Sequence, residues 1–222
     1  MVEPSSVARG SARARVKDQE PPPRIGRRER NKQEKRARIV GAARRLFRER
    51  GFAETTTQKI AEAADIGTGT LFLYAKSKED ILVMVFKDEM LETARAAFES
   101  VSSKGSLLDR LMHVFGQMIR YHERDMELSR ILLKELVFQT TSDRREDISE
   151  LMRGIYHGIA DLLESASKPG RFKSRSDAFL AAEVVFAVYY MGLLVWLGQD
   201  SSKKQFIDRL RLKLAVAING LV

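Results

Sequence analysis

Two short polar clusters carry side chains able to hold a ligand. Thr55-Thr56-Thr57-Gln58 and, ten residues on, Thr68-Gly69-Thr70 set hydroxyls, an amide and bare backbone at the starts of two apolar-patterned segments. Groups of this kind hydrogen-bond to base edges and phosphates, and a Gln can read either an adenine edge or a phosphate oxygen. A run of cations, Arg27, Arg28, Arg30, Lys32, Lys35, Arg36 and Arg38, leads into them. Residues 1–50 hold 16 Lys and Arg against 6 Asp and Glu, while residues 51–222 hold 23 against 24, so the whole net charge of +9 sits at one end. A one-ended basic block implies a polyanion partner, either nucleic acid or an anionic membrane.

The elements that must position these clusters read as helices. Ile39, Val40, Ala42, Ala43, Leu46 and Phe47 form one apolar face of a helix over 32–50. Gly51 can take the positive φ that stops it. Thr55 to Thr57 supply N-caps for a short helix to about Ala64. Asp65-Ile66-Gly67 reads as a tight turn, since Asp tolerates the left-handed region and Gly has no Cβ to clash. A second short helix follows from Thr68 to about Ala75, and Ser77 with Asp80 makes a capping box for the next. Two short helices across a three-residue turn, after a basic helix, form a helix-turn-helix layout. Its second helix lies in the major groove and needs small or polar residues at its start. Thr68-Gly69-Thr70 meets that need, and Leu71 with Ile66 supplies the inward face.

The rest of the chain is helical in spacing, with spans near 107–123, 126–138, 146–165, 176–198 and 203–219. Breaks fall at Gly105-Ser106, the polar run Gln139 to Arg145, Lys168-Pro169-Gly170 and Gln199 to Ser202. Residues 1–30, rich in Arg, Ser, Ala and Pro, read as a disordered basic tail. No apolar run of signal-sequence length occurs in them. The 14 uncharged residues Val184 to Leu197 fall short of the ~20 that a membrane span needs. With no cysteine, disulfides, thiolate metal sites and a cysteine nucleophile are excluded. No phosphate-cradling or metalloprotease motif occurs, and His113, His122 and His157 lack metal-ligand spacing. The sequence therefore presents no catalytic residue, no metal site and no cofactor site.

At residues 35–86 the chain resembles the DNA-binding domain of the tetracycline-repressor (TetR) family. The matching pieces are Ile39-Val40, Ala42-Ala43, Leu46-Phe47 and Gly51-Phe52, then Thr55-Thr56, Ile60-Ala61 and Ala64, then Gly69-Thr70-Leu71-Phe72, Tyr74, Lys76-Ser77-Lys78-Glu79 and Ile81-Leu82. The resemblance implies that Thr56 caps the second helix and that Thr57 and Gln58 meet DNA. It assigns Thr68, Gly69, Thr70, Phe72 and Leu73 to the recognition helix, and Tyr74 and Lys78 to phosphates. Read singly, the threonines are ordinary caps, Phe72 is a core residue and Lys78 a solvated charge; their joint spacing carries the assignment. Arg27, Arg28, Arg30, Lys32 and Arg36 are candidate tail contacts, reaching the minor groove or flanking phosphates, against a plain solubilising tail. Asp65, Gly67, Thr68, Lys59, Leu73 and Ala75 depart from the family's usual residues, so the operator sequence does not follow by analogy.

The expected fold is all-α. A three-helix helix-turn-helix DNA-binding domain over 31–78 follows the tail, and a larger helical ligand-binding and dimerisation domain occupies 79–222. The resemblance implies pairing with a second copy through the helices near 176–198 and 203–219. Phe179 to Leu197, apolar nearly all round, independently requires two buried faces. The resemblance also implies a small apolar or aromatic ligand among the middle helices. Met112, Phe115, Met118, Ile119, His122, Leu132, Leu136, Phe138, Tyr156 and Tyr190 are the candidate liners, each also a natural core residue. The expected function is a cytoplasmic, dimeric regulator of transcription, more a repressor than an activator, released from a palindromic double-stranded operator by that ligand. Two readings stay open beside it: a regulator with no small ligand, and an architectural DNA-coating protein. A membrane-associated helical protein is the third class, and detergent partitioning discriminates it.

Overall fold

The helix signals of the sequence materialise in order. The computed structural model describes residues 26–137, 142–168, 170–199 and 202–221, and among these it is helical with no strand. The helices are α1 (Arg27–Glu54), α2 (Thr57–Ala63), α3 (Thr68–Leu71), α4 (Lys78–Glu99), α5 (Leu107–Glu123), α6 (Met126–Val137), α7 (Ser142–Ala166), α8 (Arg175–Gly198) and α9 (Lys203–Leu221). The tail expected at 1–30 lies outside the described residues up to 25, and Arg27 to Arg30 are helical rather than tail. Phe138 also lies outside them.

Local chemistry explains most boundaries. Gly51 takes φ 78 and kinks α1 there, a conformation a side chain resists. Ser77 and Asp80 exchange side-chain and backbone bonds in a full capping box at α4, and Ser174 with Asp177 repeats it at α8. At α7 the expectation fell short: the helix starts at Ser142, four residues before the anticipated 146. The run Gln139 to Arg145 is polar but holds no Gly or Pro, and polarity alone does not break a helix.

One continuous core joins both ends of the molecule. α4 is its spine, packing on α1, α5, α6 and α7, while α8 lies between α7 and α9. Ile39, Ile60, Leu71 and Ile81 are fully buried at the α1–α4 end, and Leu111, Leu151 and Ile155 in the larger bundle. α4 and α7 approach closely at Gly158, where a Cβ would stand 2.4 Å from the Phe98 ring. By length and composition α8 would pass as a membrane span. Here its inner residues Val185, Tyr189 and Leu193 are buried in the bundle, so burial rather than the length of the apolar run marks it as a core helix.

Candidate nucleic-acid interface

The helix-turn-helix unit is held by contacts that leave its polar starts free. Thr55 is buried, and its hydroxyl donates to the Gly51 carbonyl at 2.8 Å, fastening the end of α1 to the start of α2. Thr56 caps α2, its Oγ1 accepting from the Lys59 amide at 3.2 Å. Losing that cap in Thr56→Ala is expected to cost about 1 kcal/mol. Urea unfolding would read it as a lower midpoint with the slope unchanged, and an unmoved midpoint would refute the role.

The turn between α2 and α3 works through Asp65 rather than through its glycine. Asp65 has φ 53, in the left-handed region, while Gly67 is extended. The Ile66 amide donates back to Ala61 and the Asp65 amide to Glu62, both at 3.0 Å. These two bonds are the Schellman closure, with Asp in the place glycine usually takes. Arg38 pairs with the Asp65 carboxylate at 3.3 Å, adding α1 to the turn. Leu71 is fully buried and Ala75 nearly so, which locks α3 inward.

What α3 turns outward is the expected set. Thr68 and Gly69 are exposed, Thr70 is half-buried, and Phe72 and Leu73 stand out at 38% and 77% exposure. Phe72 is thus not a core residue. The helix is shorter than expected, ending at Leu71, and Leu73 and Tyr74 continue it in tighter turns bonded to Thr70 and Leu71. On α2, Thr57 is half-buried and Gln58 exposed. Tyr74 is partly buried against the core.

Two basic residues have partners that the sequence did not reveal. Lys78 Nζ donates to the carbonyls of Phe52 and Ala53 at 2.6 and 3.3 Å and sits 4.2 Å from the Phe52 ring. It seals the kinked end of α1 and, with three donors, has one beyond these two. Arg36 is a correction. Its guanidinium reaches Asp88 of α4 at 3.4 Å and Asp147 of α7 at 3.3 Å, so it faces the larger bundle rather than a nucleic-acid groove. Arg27, Arg28, Arg30 and Lys32 remain exposed on the first turns of α1.

Two of the cavities among the described residues bear on the expected ligand liners. One, of about 330 Å³, sits where α1 meets α4, α5 and α6. Glu89 in its wall takes Arg44 at 3.1 Å, Arg48 at 2.7 Å and the Tyr121 hydroxyl at 2.7 Å. Burial, and then the Glu89 charge, push the Tyr121 hydroxyl well above the ordinary tyrosine range, so it stays a donor. The other, of about 390 Å³, lies between α6, α7 and α8 and is lined by Leu136, Ile148, Leu151, Tyr156, Glu183 and Tyr190 among others.

Of the expected liners, Leu136, Tyr156 and Tyr190 meet at this second cavity, and Leu132 borders the first. Phe115, Met118 and Ile119 are corrections: they are packed solid in the core and line neither cavity, with Phe115 stacked on Tyr189 at 4.4 Å. Met112 packs partly buried against the same core. His122 is 2% exposed and lines neither cavity, though Ser129 of α6, to which it is bonded, borders the first. Ile148, Leu151 and Glu183 went unnoticed because the offset between α6, α7 and α8, not periodicity, opens the space beside them.

Comparison with known proteins agrees with this geometry. Residues 39–85 match the family model of bacterial regulatory proteins, tetR family. The HTH-type transcriptional regulator TtgR of Pseudomonas putida is 31% identical over 169 residues, covering 73% of this chain and 79% of its own. The fatty acid metabolism regulator protein of Bacillus subtilis is 27% identical over 169 residues, covering 76% and 87%. A solved structure of the transcriptional regulator FadR from Bacillus subtilis, in complex with stearoyl-CoA, superimposes with a TM-score of 0.59 at 25% identity, covering 84% of this chain and 99% of that one.

Proposed function

Since this chain belongs to the TetR family of bacterial regulatory proteins and is a DNA-binding regulator of transcription, we propose that it is a dimeric cytoplasmic repressor released from a palindromic operator by a long-chain acyl thioester. The observation that carries the reading is the outward face of α3. Small polar Thr68, Gly69 and Thr70 lead it, exposed Leu73 follows, and buried Leu71 anchors it behind. A helix so presented enters the major groove by its N-terminal residues, with Leu73 suited to a thymine methyl. Thr56, Thr57 and Gln58 flank it, Tyr74 and the third donor of Lys78 take phosphates, and exposed Arg27, Arg28, Arg30 and Lys32 add sequence-independent affinity that salt weakens.

The ligand class rests on the α6–α8 cavity and on the acyl-CoA complex of the Bacillus regulator. At about 390 Å³, walled by Leu136, Ile148 and Leu151, the cavity falls within the range of small-molecule sites and suits an apolar chain. Such a ligand acts only through its differential affinity for two arrangements of the dimer.

The test is fluorescence anisotropy on duplexes tiled across the DNA flanking the coding region, or selected from random sequence, with scrambled competitor at near-physiological salt. One duplex should survive competition. Stearoyl-CoA should then release it at micromolar concentration, and coenzyme A without an acyl chain should not. Equal, salt-sensitive binding to every duplex would overturn the operator reading. Specific binding indifferent to every acyl chain length would overturn the ligand.

A further inference from the structure

α1, which carries the helix-turn-helix unit, is tied to the larger bundle by a charge cluster that the expected activity does not use. Asp147 of α7 accepts from two cations at once through the same oxygen, Arg36 Nη2 at 3.3 Å and Lys87 Nζ at 2.8 Å. Arg36 also pairs with Asp88 of α4, and Lys87 with Glu150 of α7. Three helices far apart in the chain thus meet at one carboxylate. The cluster is sheltered: the Lys87 side chain is 11% exposed and that of Asp147 18%. Burial alone would lower the pKa of the Lys87 ammonium, but its bonds to Asp147 and Glu150 prevail and raise it, so Lys87 stays charged.

The position of Asp147 along α7 gives the cluster its meaning. Ile148 is the next residue and Leu151 lies one turn on, and both line the α6–α8 cavity. Leu136, at the far end of α6, lines it too. Whatever fills the cavity presses on the turn of α7 that presents Asp147. A displacement of that turn lengthens the Arg36 and Lys87 contacts together, because both end on one oxygen. A half-buried ion pair tolerates little lengthening, since its partners have already lost water.

We propose that Asp147 is the positioning residue through which occupancy of the α6–α8 cavity reaches α1: it holds α1 in the operator-competent place when the cavity is empty and lets go when α7 shifts. The proposal rests on the ligand-release reading above for what fills the cavity, but its contact between α7 and α1 can be tested without any ligand.

The experiment uses the full chain, its selected operator and stearoyl-CoA as the probe. Operator affinity is measured for Arg36→Gln, Asp147→Asn and the double variant with no ligand present. Each single change should weaken binding about fivefold or more, and the double variant should be no weaker than the weaker single. Stearoyl-CoA affinity by calorimetry should be no weaker than wild type in Asp147→Asn, while the ratio of operator affinities without and with stearoyl-CoA falls towards one. Asp147→Glu should restore that ratio, which a merely structural role would not require. Single effects that multiply independently, or an Asp147→Asn protein with wild-type affinity and response, would overturn the proposal. A wild type indifferent to stearoyl-CoA alongside a coupled cycle would sink the ligand reading and leave the Asp147 link standing. A responsive wild type with an uncoupled cycle would do the reverse.

Discussion

The double variant Leu212→Glu/Val216→Glu is expected to be monomeric at micromolar concentration and to bind the operator at least a hundredfold more weakly. The two residues sit one turn apart on α9, exposed by 69% and 76%. Opposite them on α8, Leu180, Val184, Met191 and Val195 are likewise exposed, at spacings that repeat along one helix face. Between the two helices runs a shallow groove with apolar walls from Val184, Val188, Met191 and Val216. A contiguous apolar strip on an otherwise charged protein marks an interaction surface. In a twofold dimer each carboxylate appears twice on one self-complementary face, so the variant buries four charges facing apolar side chains.

A palindromic operator needs two recognition helices at fixed spacing, and a lone protomer keeps half the contacts. A hundredfold loss corresponds to about 3 kcal/mol, a modest share of what the second half-site contributes. Sedimentation velocity reads the mass, anisotropy the affinity, and far-ultraviolet dichroism checks that the helices survive at these outward positions. A variant that still sediments as a dimer with unchanged operator affinity would remove α8 and α9 from the interface.

The same residues mark how far the sequence could be read. Elements decided by chemistry within a few positions were legible. The capping box at Ser77 and Asp80, the cap at Thr56 and the left-handed Asp65 each need only neighbours in the chain, and Gly51 bends α1 where a stop was expected, the helix resuming to Glu54. So was the outward face of α3, because a short helix with one buried Leu must expose the rest. Arg36 shows the limit. Its place in a basic run suggested a polyanion, yet its partners lie 52 and 111 residues away. No local pattern distinguishes an arginine meant for phosphate from one meant for Asp147. The liners failed for a related reason. Phe115 and Tyr156 are both aromatic residues on inward helix faces, but one stacks on Tyr189 while the other borders a gap. Periodicity tells which face is inward, not whether the inward space is filled.

Acid should destabilise the protein through His122. The ring is 2% exposed, set beside Phe86 and edge-on to Tyr121, and its hydrogen-bond partner is Ser129. Ser129 donates its only proton to the His122 carbonyl at 3.1 Å. The neutral imidazole must therefore carry its proton on Nδ1 and donate to Ser129 Oγ at 3.1 Å. No carboxylate in that contact compensates a second proton, and burial pushes the His122 pKa down to about 4. The unfolded chain titrates near 6.5, so below that pH it binds a proton that the folded state refuses. Stability is intact above about pH 6.5 and falls by about 1.4 kcal/mol per pH unit until the folded ring also protonates near pH 4. The full loss is about 3 kcal/mol, a large share of a typical domain's stability. Urea unfolding at pH 7 and pH 4.5 should show the wild type losing about 2–3 kcal/mol more than His122→Gln over that interval. The comparison cancels whatever the substitution costs at neutral pH, and parallel losses in the two proteins would show that another group governs the acid limb.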